Sequence, residues 1–350
     1  MTALSALLFV LWAQAGTQSP ASAHLDRGQK LFETGNTAAA LAAFDEAVKV
    51  SPKDPRAHYL RGLALEKKGD AGAAEAAYRE AVALGPDMAE ARNNLGGLLL
   101  AKGDAEAARR ELEAALRANP RHAFAHYNLG LAHEQAGRFS EAVSSYRQAV
   151  KIDPAEPSFH INLGTALRRS GDLDGAIAEL DQATKLSPKD PVAWANLGLL
   201  LSDKKKLDQA HEALARSVKL NPKAATAWAG LGRVELRRQR PASALVALGK
   251  ARSLAPDNPT FAADLCRAQV DNDPQSSAAV QQCREALAMR EDNALARYML
   301  LKALSFRGDC AAASIELKRF LALPDIKSGP RADADALFAR CKQGQKRAGR

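Results

Sequence analysis

Residues 89–122 read AEARNNLGGLLLAKGDAEAARRELEAALRANPRH, and this stretch decides the fold. Two runs rich in Ala and Leu, both strong helix formers, flank Lys102-Gly103-Asp104, and Pro120 follows the second run. Gly103 can take the left-handed conformation that ends a helix. Asp104 can cap the first amides of the next one. Pro120 has no N–H with which to continue the second helix. The stretch therefore predicts two helices joined by a tight turn. Gly96 on the first and Ala108 on the second leave room for close approach, and large residues such as Tyr78, Leu112, Tyr146 and Leu180 fill the seam.

The same features recur along the chain. Gly28, Gly62, Gly96, Gly130, Gly164, Gly198 and Gly232 lie 34 residues apart. Pro52 to Pro256, Ala40 to Ala244, and Ala47 to Ala251 (with Ser217 once) keep the same step. The turn signal returns at Gly35-Asn36, Gly69-Asp70 and Gly171-Asp172. Tracks held in one register over this distance define a repeat array whose units bury their apolar faces against their neighbours.

The pattern resembles the tetratricopeptide repeat (TPR) over about residues 21–258, as seven regular units. The resemblance implies an all-α solenoid, helix pairs stacked into a right-handed superhelix, with each unit's first helix lining a concave groove. Beyond it the register degrades. Cys266 replaces the first-helix glycine in 259–293, a ninth unit carries Gly308-Asp309 at its turn, and the segment 331–342 is amphipathic. The organisation expected is a leader over 1–23, seven regular units over 24–258, two degenerate units over 259–325, a capping helix over 326–342 and a basic disordered tail over 343–350.

The leader rests on an apolar run over 3–13, too short to span a bilayer comfortably, followed by Ala13-Gln14-Ala15 and Ala21-Ser22-Ala23. Both are small–x–small sites of the kind signal peptidase cleaves. No Lys or Arg precedes the run, a departure from the usual pattern, and an uncleaved signal anchor is the alternative. No Cys follows it, so a lipoprotein anchor is not supported. Export to the periplasm or the extracellular space is expected.

All four cysteines fall in the last quarter of the chain. Export makes disulfides the expected state, and four cysteines allow three connectivities. Cys266 sits mid first helix and Cys283 mid second helix of one degenerate unit, so antiparallel packing brings them face to face. Cys310 opens the second helix of the ninth unit and Cys341 closes the capping helix. The pairing expected is Cys266–Cys283 and Cys310–Cys341, against four buried thiols in a cytosolic protein.

The sequence offers no catalytic constellation, phosphate loop or nucleophile elbow, and a non-catalytic protein without cofactor or metal is expected. His133-Glu134 lacks a second His at metalloprotease spacing. His24, His58, His126 and His160 share a position that TPRs usually fill with a large ring. Packing of the seam is the expected role, against a metal site spanning neighbouring units. The net charge of +9 favours acidic partners. Nucleic acid is not expected, because neither a basic stripe on a known module nor interleaved aromatics are present.

The candidate binding element is a ladder. Asn94, Asn128, Asn162 and Asn196 share one first-helix register, which holds Asp26 and Leu60 before it and Gly230 and Asp264 after it. Asn is a poor helix former, and its amide can donate to and accept from a peptide backbone at once. A habit of the TPR consensus is the competing explanation. The TPR superhelix of O-linked N-acetylglucosamine transferases is similar in carrying such a ladder, although no transferase domain follows here. The combination of Lys, Asn and Arg that marks carboxylate-clamp TPRs is absent in register. Asn93, Tyr127 and Ile161 flank the ladder. Arg233 and Arg237 share one helix face as a candidate pocket for acidic peptides, and Lys204-Lys205-Lys206 reads as a solvated turn. The function expected is an envelope adaptor binding an extended peptide or protein segment. The alternative is an assembly factor whose basic surface docks on an acidic macromolecule.

Overall fold

In each of the seven regular helix pairs the first helix can approach the second because a glycine faces a large side chain. A Cβ on Gly62 would lie 2.5 Å from Tyr78 Cε1, and one on Gly96 would lie 2.7 Å from Leu112 Cγ. Tyr78 and Leu112 are wholly buried in consequence. The computed structural model that shows this describes residues 20–324 and 326–348. The expected leader's apolar run and the cleavage site after Ala15 lie outside the described residues.

Among the described residues the chain forms nineteen helices and no strand. It divides after Pro154 into two compact units. The first unit holds four helix pairs: α1 (Ser22–Glu33) with α2 (Thr37–Val50), α3 (Pro55–Lys68) with α4 (Ala71–Leu84), α5 (Ala89–Ala101) with α6 (Ala105–Ala118), and α7 (Ala123–Gln135) with α8 (Phe139–Ile152). The second unit continues with α9 (Pro157–Ser170) and α10 (Leu173–Leu186), α11 (Pro191–Asp203) and α12 (Leu207–Leu220), and α13 (Ala225–Arg237) and α14 (Pro241–Leu254). Then come α15 (Pro259–Asn272) and α16 (Ser277–Met289), α17 (Ala294–Phe306) and α18 (Cys310–Leu321), and a last helix, α19 (Ser328–Ala348). Each unit is a TPR α-solenoid of stacked antiparallel pairs.

The turns follow the residues predicted for them. Gly69, Gly103 and Gly171 take φ of 89°, 86° and 90°. Asp70, Asp104 and Asp172 then accept from the amide three residues on, at 3.1, 3.0 and 2.9 Å. In the sixth and seventh repeats non-glycine residues take the same left-handed position, Lys205 and Gln239, each at φ 59°. Lys206 and Arg240, which follow them, give their helices no side-chain cap.

The first helix of the array begins within the segment over 1–23 expected as a leader. Helix α1 begins at Ser22, Ala21 O accepts from Leu25 N at 3.0 Å, and Ala21 and Leu25 are buried in the first core. At the far end α19 runs to Ala348, so the tail expected to be disordered from 343 is helical through that residue. No proline interrupts the segment after Pro330, so nothing in the backbone stops the helix.

The structure pairs the cysteines as the helix geometry predicts. Cys266 on α15 and Cys283 on α16 are disulfide-bonded with Cα atoms 4.7 Å apart. Cys310, which opens α18, is bonded to Cys341 on α19 with Cα atoms 5.8 Å apart. All four are buried, and Cys266 and Cys283 sit in one apolar cluster with Leu301, Phe320 and Ala334.

Restoring the turn chemistry gives a stability test. Lys205→Gly relieves a left-handed conformation that costs a side-chain-bearing residue about 1–2 kcal/mol, less the chain entropy a glycine adds to the unfolded state. Lys206→Asp supplies a cap worth about 1 kcal/mol. The double variant should unfold at higher urea, by about 1–2 kcal/mol. A midpoint equal to or below that of the parent would contradict the strain argument.

Candidate peptide-binding site

The four ladder residues lie one per first helix: Asn94 on α5 and Asn128 on α7 in the first unit, Asn162 on α9 and Asn196 on α11 in the second. All four are half-buried rather than exposed. In the first unit they belong to a directed chain of hydrogen bonds. Asn128 Nδ2 donates to Asn93 Oδ1 at 2.9 Å, and Asn93 Nδ2 to Asn94 Oδ1 at 3.1 Å. Asn94 Nδ2 donates to the Tyr78 hydroxyl at 3.4 Å, and that hydroxyl to Glu66 Oε2 at 2.7 Å.

The direction of this chain follows from its last member. An ionised carboxylate only accepts, so Tyr78 donates to Glu66. Burial, and next the Glu66 charge, push the Tyr78 phenol well above its ordinary range, which keeps that proton in place. Its hydroxyl can then accept only from an amide N–H, which orients Asn94, then Asn93, then Asn128. The carbonyl oxygen of Asn128 is left as an acceptor with no partner among the described residues.

The rungs are therefore unequal. Asn94 is engaged at both ends of its amide. Asn128 keeps a free, oriented acceptor. In the second unit Asn162 Nδ2 bonds the Ser158 carbonyl of its own helix at 3.0 Å. The Asn196 side chain makes no hydrogen bond among the described residues. Tyr127 beside the ladder packs on Tyr146, ring centroids 5.7 Å apart.

The two arginines are exposed, and each is held. Arg233 Nε lies 2.6 Å from Asp264 Oδ2, the residue that occupies the ladder register one repeat on. Burial raises the Asp264 carboxyl above its ordinary range, and the Arg233 charge opposes that shift. Arg237 Nη1 donates to the carbonyl and hydroxyl of Ser202 at 2.6 and 2.7 Å. Each guanidinium keeps further N–H groups directed elsewhere.

The shared histidine position has an internal partner. His58 Nε2 lies 2.8 Å from the Pro52 carbonyl and His126 Nε2 3.0 Å from that of Pro120. Trp194 and Trp228 donate to Pro188 and Pro222 at 3.0 and 2.9 Å, and Arg92 Nε to Pro86 at 2.7 Å. In every case the acceptor is six residues earlier, in the loop entering that repeat. The position requires a long side chain with an N–H, which His, Trp and Arg all supply. His160 instead faces Glu179, Nδ1 to Oε2 at 2.6 Å. Sequence reading recognised a ring position here but missed the hydrogen bond, and it missed the Asn93–Asn94–Tyr78–Glu66 relay. One signal was available. Tyr78 with Glu66 recurs as Tyr146 with Glu134, where the hydroxyl also donates, at 2.8 Å.

Trp228→Phe keeps the ring and removes the donor to Pro222. It should cost about 0.5–1 kcal/mol in urea unfolding, the net worth of one hydrogen bond. An unchanged midpoint would show that the contact adds nothing to stability.

Family models and solved structures match this architecture. Two tetratricopeptide-repeat models match residues 25–89 and 87–155. A third, described as the cilia and flagella-associated protein 70 C-terminal domain, matches residues 123–328. No curated protein is a significant match to the chain. Among solved structures, the Cut9–Hcn1 hetero-tetramer of the APC/C aligns with a TM-score of 0.57 at 19% identity, covering 83% of this chain and 57% of its own. PilF of Pseudomonas aeruginosa aligns with 0.55 at 20%, covering 59% and 95%. A tetratricopeptide repeat protein of Parabacteroides merdae aligns with 0.52 at 16%, covering 71% and 99%. At these identities the likeness is one of fold. The chain belongs to the tetratricopeptide-repeat family.

Proposed function

We propose that this protein is a non-catalytic scaffold that holds an extended polypeptide segment on its first-helix face, in an oxidising compartment outside the cytoplasm. The observation that carries the binding role is the relay ending at Asn128. It is a row of buried and half-buried amides whose orientation is fixed from Glu66 outward and whose last carbonyl has no partner among the described residues. A fixed acceptor is pre-organised for a backbone N–H and pays little ordering cost on binding. Asn196, whose amide is likewise free, offers the same chemistry in the second unit. Amides that meet backbone rather than side chains hold a segment by its main chain, with little demand on its sequence.

One feature supports the compartment. All four cysteines pair in the disulfide-bonded terminal region, and disulfides persist where the environment is oxidising. No helix among the described residues is long and apolar enough to cross a membrane. Cleavage after Ala15 preserves Ala21 and Ser22, whereas cleavage after Ala23 removes the first turn of α1 and a buried residue of the core. Protein recovered from an envelope fraction should therefore begin at Gly16. Peptide mapping without reduction should show both disulfides. A chain that begins at Met1 with free thiols would overturn the export.

The binding test needs a partner captured from that fraction, followed by calorimetry. Asn128→Ala with Asn196→Ala should weaken binding roughly tenfold or more, since each lost hydrogen bond nets about 0.5–1.5 kcal/mol. Asn94→Ala should instead lower stability, because it removes the donor to the Tyr78 hydroxyl and leaves the Asn93 Nδ2 without its acceptor. Full affinity in the double variant would sink the ladder reading. Binding that collapses with salt while ignoring both asparagines would point to docking of an acidic macromolecule on the basic surface.

A further inference from the structure

Helices α16, α17 and α18, in the disulfide-bonded part of the second unit, enclose an open cleft of about 600 Å³, within the size range of small-molecule sites. Its walls are apolar, from Leu287, Leu300, Leu304 and Ile315, and three arginines line it, Arg284, Arg297 and Arg319, against two glutamates, Glu291 and Glu316.

The chain carries its own reference for this place. The third repeat has the same arrangement 205 residues earlier, where Arg92 corresponds to Arg297 and Glu111 to Glu316. Arg92 is fully served there: Nε donates to the Pro86 carbonyl at 2.7 Å and Nη1 to Glu111 at 2.6 Å. Arg297 is turned differently. Its Nη2 takes the loop carbonyl, of Glu291, at 2.6 Å, and its Nη1 takes Glu316 at 2.7 Å. The Nε–H is left buried without a partner, on a residue only 4% exposed.

Three further substitutions distinguish the two places. Arg319 stands where the third repeat has Ala114, and it shares Glu316, at 3.1 Å. Arg284 corresponds to Arg79. Arg79 pairs with Glu75 at 2.8 Å. Val280 occupies the position of Glu75, and the Arg284 side chain has no ion pair or hydrogen bond among the described residues. Ile315 replaces Arg110 and is 53% exposed. Across these positions one arginine is gained, Arg319, and one lost, Arg110, while the carboxylate of Glu75 is gone, so the cleft keeps three cations, has lost a partner for one of them and has gained an apolar wall. One carboxylate, Glu316, serves two guanidiniums while a third has none. An anion lowers the energy of such a set, because it supplies the missing acceptors, and the wall favours an apolar body.

We infer that this cleft binds a small amphiphilic anion, a medium-length acyl chain ending in a carboxylate, with its head among Arg284, Arg297 and Arg319 and its tail along Leu287, Leu300 and Ile315. The site is separate from the first-helix face and stands whether or not that face binds peptides.

The probe is decanoate, below its micelle concentration, titrated into the full oxidised chain. Binding is followed by the line width and shift of a ¹³C-labelled carboxyl. Saturable binding at one site is expected, with decanol and acetate each at least about tenfold weaker, because each lacks one half of the recognition. Arg284→Gln with Arg319→Gln should weaken decanoate binding about tenfold or more and leave the circular dichroism spectrum unchanged, since Arg297 and Glu316 stay paired. Ile315→Asn should weaken decanoate and leave acetate unaffected. Decanoate that fails to saturate, decanol that binds equally well, or a double-arginine variant with parental affinity would each overturn the inference. A tripeptide Ala-Ala-Leu that binds more tightly than decanoate would overturn the acyl assignment.

Discussion

The structure depends on one close approach, repeated. A glycine on the first helix of a pair receives a large side chain of the second, as Gly62 receives Tyr78 and Gly96 receives Leu112. At such separations a methyl group on the glycine would occupy the space of the partner's ring or branch. Side chains held this tightly interdigitate at crystal-like density, and their positions are fixed. The polar relay follows from that fixity. Tyr78 is buried because Gly62 admits its ring, and its hydroxyl, thereby located, meets Glu66 on the same first helix. Asn94, one repeat on, reaches the hydroxyl from the other side. A packing constraint between two apolar surfaces thus determines the direction of a row of amides.

The second recurring interaction secures most of the repeats to the loop that enters them. At residues 58, 92, 126, 194, 228 and 297 the acceptor is the carbonyl six residues back, and the donor is whatever long N–H side chain stands at the fourth position of the repeat. Histidine, tryptophan and arginine share little in hydropathy or charge, yet each places an N–H at the required reach. At His58 the contact also fixes the proton: Nε2 must carry it to meet the Pro52 carbonyl, so the neutral ring presents Nδ1 as an acceptor. A histidine engaged in this way is a structural group, and its recurrence along the chain has a structural cause.

The architecture was legible because it rests on residue type at a fixed spacing. Gly, Ala and Pro tracks read directly as close approach and helix ends, and the turn Gly103-Asp104 behaves as its chemistry requires. The cysteine pairing was legible for the same reason: antiparallel helices place Cys266 opposite Cys283 whatever their neighbours do. The relay was not, because it depends on partners. Asn93 looks like a flanking residue until its carbonyl is seen to accept from Asn128, 35 residues away, and the sense of that bond is set by a carboxylate two repeats back. At the start of the array two local signals overlap. Residues 20–23 look like a leader because alanine and serine suit a protease site, but the same small residues suit a helix start against a core.

Repetition also explains why new chemistry can arise in the terminal units. In a central repeat each residue on the second helix adjoins one repeat before it and one after it, so a change must suit both. In the last pair that demand is relaxed, since α19 caps the stack in place of a further repeat, and the Cys310–Cys341 bond ties that cap to α18 independently of side-chain packing. The substitutions found there fit this freedom. Glu316 keeps its old partner Arg297 and gains a second in Arg319, while Val280 removes the carboxylate that its counterpart offers Arg79. The seam itself has changed in these units, with Cys266 and Leu301 at the positions of the glycine, but the loop contact at the fourth position is kept, since Arg297 still reaches the carbonyl six residues back. The last pair thus keeps the loop contact, replaces the glycine seam by a disulfide-bonded apolar cluster, and varies what is left, which is the wall of a cleft.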